Sequence, residues 1–222
     1  MNSHDDPRES LNMTAARIIS AGILPAKTYL VGGTAVFFYL NHRLSYELDF
    51  YTSERFRSEF ILHQLRQTFR SVQIELMEND TVLAYVGAAK VKFSLFHFPY
   101  SVLAPSVPYP FQDGTVCHLA SMADLISMKC IAIAQRGSAK DFVDLFFLLR
   151  EERMDFAEVL ALIQMKYTVQ DSFAYQLKTS LVYFEDAEKE IGNIDLIMGS
   201  GVEKMSRTFW DRVKWFFLEF IR

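Results

Sequence analysis

The chain has 222 residues, half of them apolar, and a formal net charge of −4. That length and apolar content suit one large domain or two small ones with a substantial core. The acidic balance excludes a global attraction to nucleic acid and leaves only a local basic patch for such contact. Cys117 and Cys130 form no CxxC pair, which fits a reducing compartment and leaves no cysteine–histidine zinc signature. The opening MNSHDDPRES is polar and acidic, unlike a signal peptide. The longest apolar runs fall short of the ~20 residues that span a bilayer, so a cytoplasmic protein without a membrane anchor is expected.

Along the chain, the first ten or so residues are expected to fray. Residues 10–21 read as a helix closed by Gly22, 28–31 as a strand, and 35–40 as a helix after a glycine turn. Residues 48–51 read as a second strand and 56–69 as a helix. Three strands, 72–77, 82–86 and 91–98, are separated by turn signals at Asn79-Asp80 and Gly87, which predicts an antiparallel meander. A proline-rich loop then leads to a short strand near Val116. After Ser121 the pattern turns helical, with starts near 122, 139, 156 and 172 and a last helix over 203–221. Ser121 with Asp124 and Ser138 with Asp141 are capping-box patterns, and Asp155 with Glu158 is a looser one. The expected class is α+β: a mixed sheet flanked by helices over residues 1–120, then a helical half over 121–222 packed on that core.

The densest chemistry lies in VGGTAVFFYLNHRLSYELDFYT, residues 31–52. Glu47 and Asp49 sit two apart in a strand pattern, so both point to one face. Two carboxylates so placed repel unless a positive charge sits between them, and a divalent metal is the usual solution. Gly32 and Gly33 let backbone N–H groups approach an anion. A phosphate cradle beside paired carboxylates points to metal-assisted chemistry on a nucleotide.

A second segment is informative by itself. In LISMKCIAIAQ, residues 125–135, Lys129 is the only charge. A helix apolar nearly all round is buried, so this ammonium must reach a carboxylate or a phosphate, unless it snorkels to the surface. Asp141 and Asp144 lie at i and i+3 on one helix face. Asp141 could be simply a helix-capping acid. Asp144, within FVDLFFLL, needs a cation, and Lys129 or Arg136 could serve.

The glycine turn with its acid-x-acid strand resembles the signature of the nucleotidyltransferase superfamily. With ADLISMKCIAIAQRGSAKDFVDLFFLL, residues 123–149, and the strand VKFSLFHFPY, residues 91–100, the chain resembles more closely the AbiEii/AbiGii toxin family of bacterial nucleotidyltransferases. The resemblance covers roughly residues 28–150. It implies a nucleotidyltransferase fold and Mg²⁺-dependent transfer of a nucleoside monophosphate from a nucleoside triphosphate to an acceptor hydroxyl. The acceptor would be a tRNA 3′ end or a protein side chain, and the chain would be the toxin of a toxin–antitoxin or phage-defence pair with a cognate antitoxin. It implies Glu47 and Asp49 as metal ligands, and Gly32, Gly33 and Thr34 as the triphosphate cradle. Lys129 would lie against the phosphates, and Asp141 or Asp144 would complete the site. Thr34 could instead be only a helix N-cap.

Arg43 resembles the family's arginine between turn and acid pair. It is expected on phosphate, on the acid pair or in a surface salt bridge. Lys129→Ala is expected to remove transfer with little loss of fold.

Two departures keep other readings open. Glu47 stands where the family usually has Asp, and Ser94 where the wider superfamily often has a third carboxylate. A non-catalytic relative that binds nucleotide or a partner protein, and a small-molecule, antibiotic-modifying nucleotidyltransferase, are the alternatives. His42, His63, His97 and His118 show no metal spacing and read as structural or surface residues. The basic, aromatic end, residues 204–222, reads as an amphipathic helix on the core in preference to an RNA or partner surface.

Overall fold

The computed structural model describes residues 7–170, 172–199 and 201–222. Of the N-terminal stretch expected to fray, residues 1–6 lie outside those described, while Pro7 opens a helix. The chain forms two compact units. The first takes in residues up to Ala35, Ser45–Tyr100 and Ser106–Ala120; the second takes in Val36–Leu44, Ser101–Pro105 and Ser121–Arg222.

In the first unit, seven strands form one mixed sheet. They are β1 (Thr28–Val31), β2 (Glu47–Thr52), β3 (Val72–Glu78), β4 (Thr81–Val86), β5 (Val91–His97), β6 (Val107–Pro110) and β7 (Val116–Leu119), in the spatial order β3-β4-β5-β2-β1-β7-β6. β2 runs parallel to β5 and β1 parallel to β7, and the other pairings are antiparallel. The meander β3-β4-β5 is therefore as its short turns required. Helices α1 (Pro7–Ser20) and α3 (Ser58–Thr68) pack on the sheet. Alternation along the strands separates two faces. On one, Leu48, Phe50, Phe93, Leu95, Val82 and Ala84 are fully buried. On the other, register aligns three transverse rows: Tyr85–Lys92–Glu47, Leu83–Ser94–Asp49–Val31 and Thr81–Phe96–Tyr51–Tyr29. β6 falls where a proline-rich loop was expected. It lies at the sheet edge, the one place where Pro108 and Pro110 can sit without removing an interior ladder bond.

The second unit carries α4 (Met122–Gln135), α5 (Ala139–Glu152), α6 (Phe156–Lys166), α7 (Phe173–Leu181), the short α8 (Glu185–Glu188) and α9 (Arg207–Phe220). It also holds a hairpin, β8 (Asp195–Met198) with β9 (Gly201–Lys204), which the sequence did not disclose. That hairpin corrects the last helix. Residues 201–204 are strand, and α9 starts later, where the Ser206 hydroxyl accepts the Phe209 N–H at 3.2 Å.

Capping is also redistributed. Asp155 and Glu158 form the complete reciprocal box. Ser138 instead donates its hydroxyl to the Asp141 carboxylate at 2.7 Å and makes no cap bond. Glu190 accepts the Ala139 N–H at 3.0 Å in its place. The aromatic stripe of α9 is core in part: Trp210 and Phe217 are buried, with ring centroids 5.9 and 5.4 Å from Phe142, whereas Trp215 is 65% exposed. No helix among the described residues is long and apolar enough to cross a membrane.

Candidate active site

In the first unit, antiparallel pairing sets Val31 opposite Asp49. The chain leaves β1 at Val31 and enters α2 (Gly32–Leu40) at once, so the glycine turn lies against Asp49. Gly32 has φ +68°, the left-handed region, and a Cβ there would fall 2.7 Å from Asp49 Oδ2. Only glycine meets both demands. Gly32→Ala is thus expected to cost about 1–2 kcal/mol in backbone strain and to displace the Asp49 carboxylate. A thermal melt should show the first effect and loss of any transfer activity the second.

Glu47 and Asp49 are half-buried while Leu48 and Phe50 between and beyond them are buried, so both carboxylates occupy one face. Thr34 does not face outward. It is 1% exposed, and its hydroxyl donates to the Glu47 carbonyl and lies 2.7 Å from Ser45 Oγ. Its visible work is to tie the turn to the start of β2.

Lys92 is the residue sequence reasoning missed. It pairs in register with Glu47 on the acid-pair face, and its ammonium lies 3.5 Å from Glu75 Oε2. Burial alone would lower its pKa, but the Glu75 and Glu47 carboxylates outweigh burial and raise it. The signal was present in the alternation of VKFS, which sets Lys92 and Ser94 two apart as Glu47 and Asp49 are. Ser94 is Asp49's register partner and is buried, so no strand carboxylate stands beside Asp49 at that position.

For a metal, the donor set is two carboxylates. Among the described residues no group of three or more His, Cys, Asp or Glu could cage an ion. Two carboxylates fit Mg²⁺, which takes its remaining ligands from water and substrate phosphates; they would not fit a closed zinc or calcium cage.

The second unit holds a buried charge cluster. Lys129 Nζ lies 2.8 Å from Asp141 Oδ1 and 2.6 Å from Asp144 Oδ2, so the lone lysine of α4 does reach carboxylates. Arg136 binds Asp141 with Nε at 2.9 Å. Arg43 grips Asp144 through Nε at 2.6 Å and Nη2 at 2.8 Å, and His42 Nε2 lies 2.7 Å from Asp144 Oδ1. Arg43 is therefore not in a surface salt bridge; it is 6% exposed and bidentate on a carboxylate that no sequence spacing linked to it. What places it is the unforeseen hairpin. Leu44 N–H donates to the Asp195 carbonyl at 2.8 Å and Ile197 N–H to the His42 carbonyl at 2.9 Å, pinning residues 42–44 along β8. A second buried pair was also missed: Lys166 Nζ lies 2.6 Å from Asp124 Oδ1.

The cluster's protonation follows. Burial would raise the Asp144 carboxyl, but the Arg43 and Lys129 charges overcome it and hold it well below the carboxylate range; Asp141 is held low likewise by Lys129 and Arg136. Burial pulls His42 below its ordinary 6.5, against the pull of Asp144. Burial also opposes charge on Lys129, and Asp144 and Asp141 reverse it, raising its pKa. A depressed folded pKa gives stability that is present above the unfolded value and lost as pH falls. Stability is expected to decline in two stages on acidification, mildly below 6.5 as His42 is forced to charge and steeply below 3.8 as the aspartates protonate. The raised Lys129 contributes below 10.5 and is lost as pH rises through its folded value. Melting curves from pH 3 to 8 should show both stages, and His42→Gln should remove the first.

A glycine turn set against an acid pair, on a mixed sheet flanked by helices, is the core of a nucleotidyltransferase. The model for the family described as nucleotidyl transferase AbiEii toxin, type IV toxin–antitoxin system, matches residues 16–190, and the chain belongs to that family. An uncharacterised protein of Aquifex aeolicus (strain VF5) is 36% identical over 189 residues, covering 84% of this chain and 85% of its own. MenT4, a nucleotidyltransferase toxin from Mycobacterium tuberculosis H37Rv, superposes with a TM-score of 0.60 at 12% identity, covering 97% of this chain and 84% of that one. At that identity the likeness is one of fold.

Proposed function

We propose that this toxin-family nucleotidyltransferase transfers a nucleoside monophosphate from a nucleoside triphosphate to an acceptor hydroxyl, and that Glu47 and Asp49 bind the Mg²⁺ it needs. The observation that carries this reading is the close approach of Gly32 to Asp49, which would set a phosphate held by the turn beside the acid pair. N–H groups at the start of α2, from Gly32 and Gly33, hold the triphosphate. When bound, Mg²⁺ polarises the α-phosphate and neutralises the leaving pyrophosphate. Thr34 fixes the Glu47 main chain, and Lys92 stands in register with Glu47 on the same strand face. The acceptor oxygen forms its bond to the α-phosphorus as the α–β bridging bond breaks, and the hydroxyl proton leaves to solvent.

Lys129, Arg43, Asp141 and Asp144 enter this reading through family membership. Of the three N–H donors of Lys129, two are taken by Asp141 and Asp144. Arg43 and the aspartates orient that ammonium. The acceptor is a tRNA 3′ end or a protein side chain, and a cognate antitoxin restrains the toxin in a cytoplasmic toxin–antitoxin or phage-defence pair.

The test incubates the protein with each α-labelled nucleoside triphosphate, Mg²⁺ and either total RNA or total cell protein. Label is expected in one acceptor fraction with one preferred nucleotide. No label in either fraction favours the second reading, a non-catalytic binder, which rests on buried Ser94 standing beside Asp49 where a third carboxylate could serve as base.

A further inference from the structure

The acid-pair face is chemically different at its two ends. On the Glu47 side stands a cation, Lys92. On the other side, one strand repeat beyond Asp49, stands Tyr51, and it is the first of a run of aromatic rings. Tyr51 and Phe98 are stacked, with centroids 4.4 Å apart and planes at 26°. Phe96 meets Tyr51 edge-on at 5.9 Å, and Tyr100 continues the run at 4.9 Å from Phe98. The chain past β5 holds this arrangement, because Phe98 N–H donates to the Thr52 carbonyl at 2.8 Å and extends the β2–β5 ladder. The rings are not sealed into the core: Tyr51, Phe96 and Phe98 are half-buried and Tyr100 is 45% exposed. The buried face of the same strands is aliphatic and phenylalanine-filled, so packing alone does not require tyrosines here.

We propose that the Tyr51–Phe98–Tyr100 run is a nucleobase subsite, on which the base of the nucleoside triphosphate stacks while its phosphates lie at Asp49 and the glycine turn. The inference rests on the nucleotidyl-transfer reading above and adds where the base goes. Residues i and i+2 of a strand are about 6.5–7 Å apart, a span that a nucleotide covers between its α-phosphate and its base. Aromatic stacking tolerates any base, so this subsite supplies affinity and orientation, and base choice is made by other groups. It also orients the substrate, with the base toward Tyr100 and away from Lys92.

The test measures binding of nucleoside triphosphates and of inorganic tripolyphosphate, each with Mg²⁺, to the parent chain and to Tyr100→Ala and Phe98→Leu. Both variants are checked by thermal melting, and exposed Tyr100 can be removed without touching the core. Nucleoside triphosphate binding is expected to weaken about tenfold or more, with tripolyphosphate binding unchanged. No change in either ligand overturns the subsite while leaving the phosphate site in place, and equal weakening of both overturns it by showing that the rings act on phosphate binding and not on the base. A rise only in KM for the acceptor assigns the rings to the acceptor and overturns the proposal too. A parent chain that binds neither ligand overturns the nucleotide reading itself and this inference with it.

Discussion

Asp144→Ala is expected to destabilise the protein by about 3–5 kcal/mol, because it strands buried cations. Three groups converge on that carboxylate: Lys129, Arg43 and His42, with heavy-atom separations of 2.6 to 2.8 Å. Removing it leaves an arginine and a lysine, each nearly inaccessible, without their main counter-charge. Lys129→Ala should do comparable harm from the other side, since Asp141 and Asp144 are 0% exposed and only one helical turn apart. This corrects the expectation that Lys129→Ala would spare the fold. Loss of transfer in that variant says nothing of phosphate contact unless folding is measured beside it. Urea unfolding is the measurement, and a drop in Tm on the order of 10 °C should accompany it. If Asp144→Ala unfolds within about 1 kcal/mol of the parent, the cluster does not hold the second unit as described.

Asp49→Ala should have the opposite profile. Transfer should fall by three orders of magnitude or more, since loss of a metal ligand removes several kcal/mol of transition-state stabilisation and each 1.4 kcal/mol is about tenfold. Stability should hold or rise slightly, because the half-buried neighbour Glu47 loses a like charge on its strand face. In cells, growth inhibition by the parent should vanish in this variant. Inhibition equal to the parent's would instead favour an interaction module.

The first unit was largely legible because its signals are local. Alternation in ELDFYT set both acids on one face, and turn residues between 72–77, 82–86 and 91–98 set a meander. Lys129 was legible for a different reason: a single charge in an apolar helix has few places to go. What stayed hidden depended on long-range pairing. Asp144 and Arg43 are 101 residues apart, and they meet because residues 42–44 align with a hairpin near residue 196. That hairpin has two short strands, DLIM and GVEK, with little alternation to read, and it follows a stretch rich in acidic residues. For Lys92 the alternation of VKFS gave the face, but its pairing with Glu47 depends on the register of β2 against β5, which cannot be read from either strand alone. Thr34 read as a phosphate contact or a helix N-cap, and its bonds to Ser45 and the Glu47 carbonyl depend on a placement the local sequence does not show.

Nucleotidyl transfer is proposed to rest on the glycine turn and the Glu47–Asp49 pair. Its most direct measurement supplies the protein with the preferred nucleoside triphosphate labelled at either the α- or the γ-phosphorus, and follows acceptor and pyrophosphate together. The expected result is α-label in the acceptor, γ-label in released pyrophosphate, equal amounts of the two products, and neither with Asp49→Ala. Transfer of γ-label to the acceptor, or α-label transfer that survives Asp49→Ala, would contradict it.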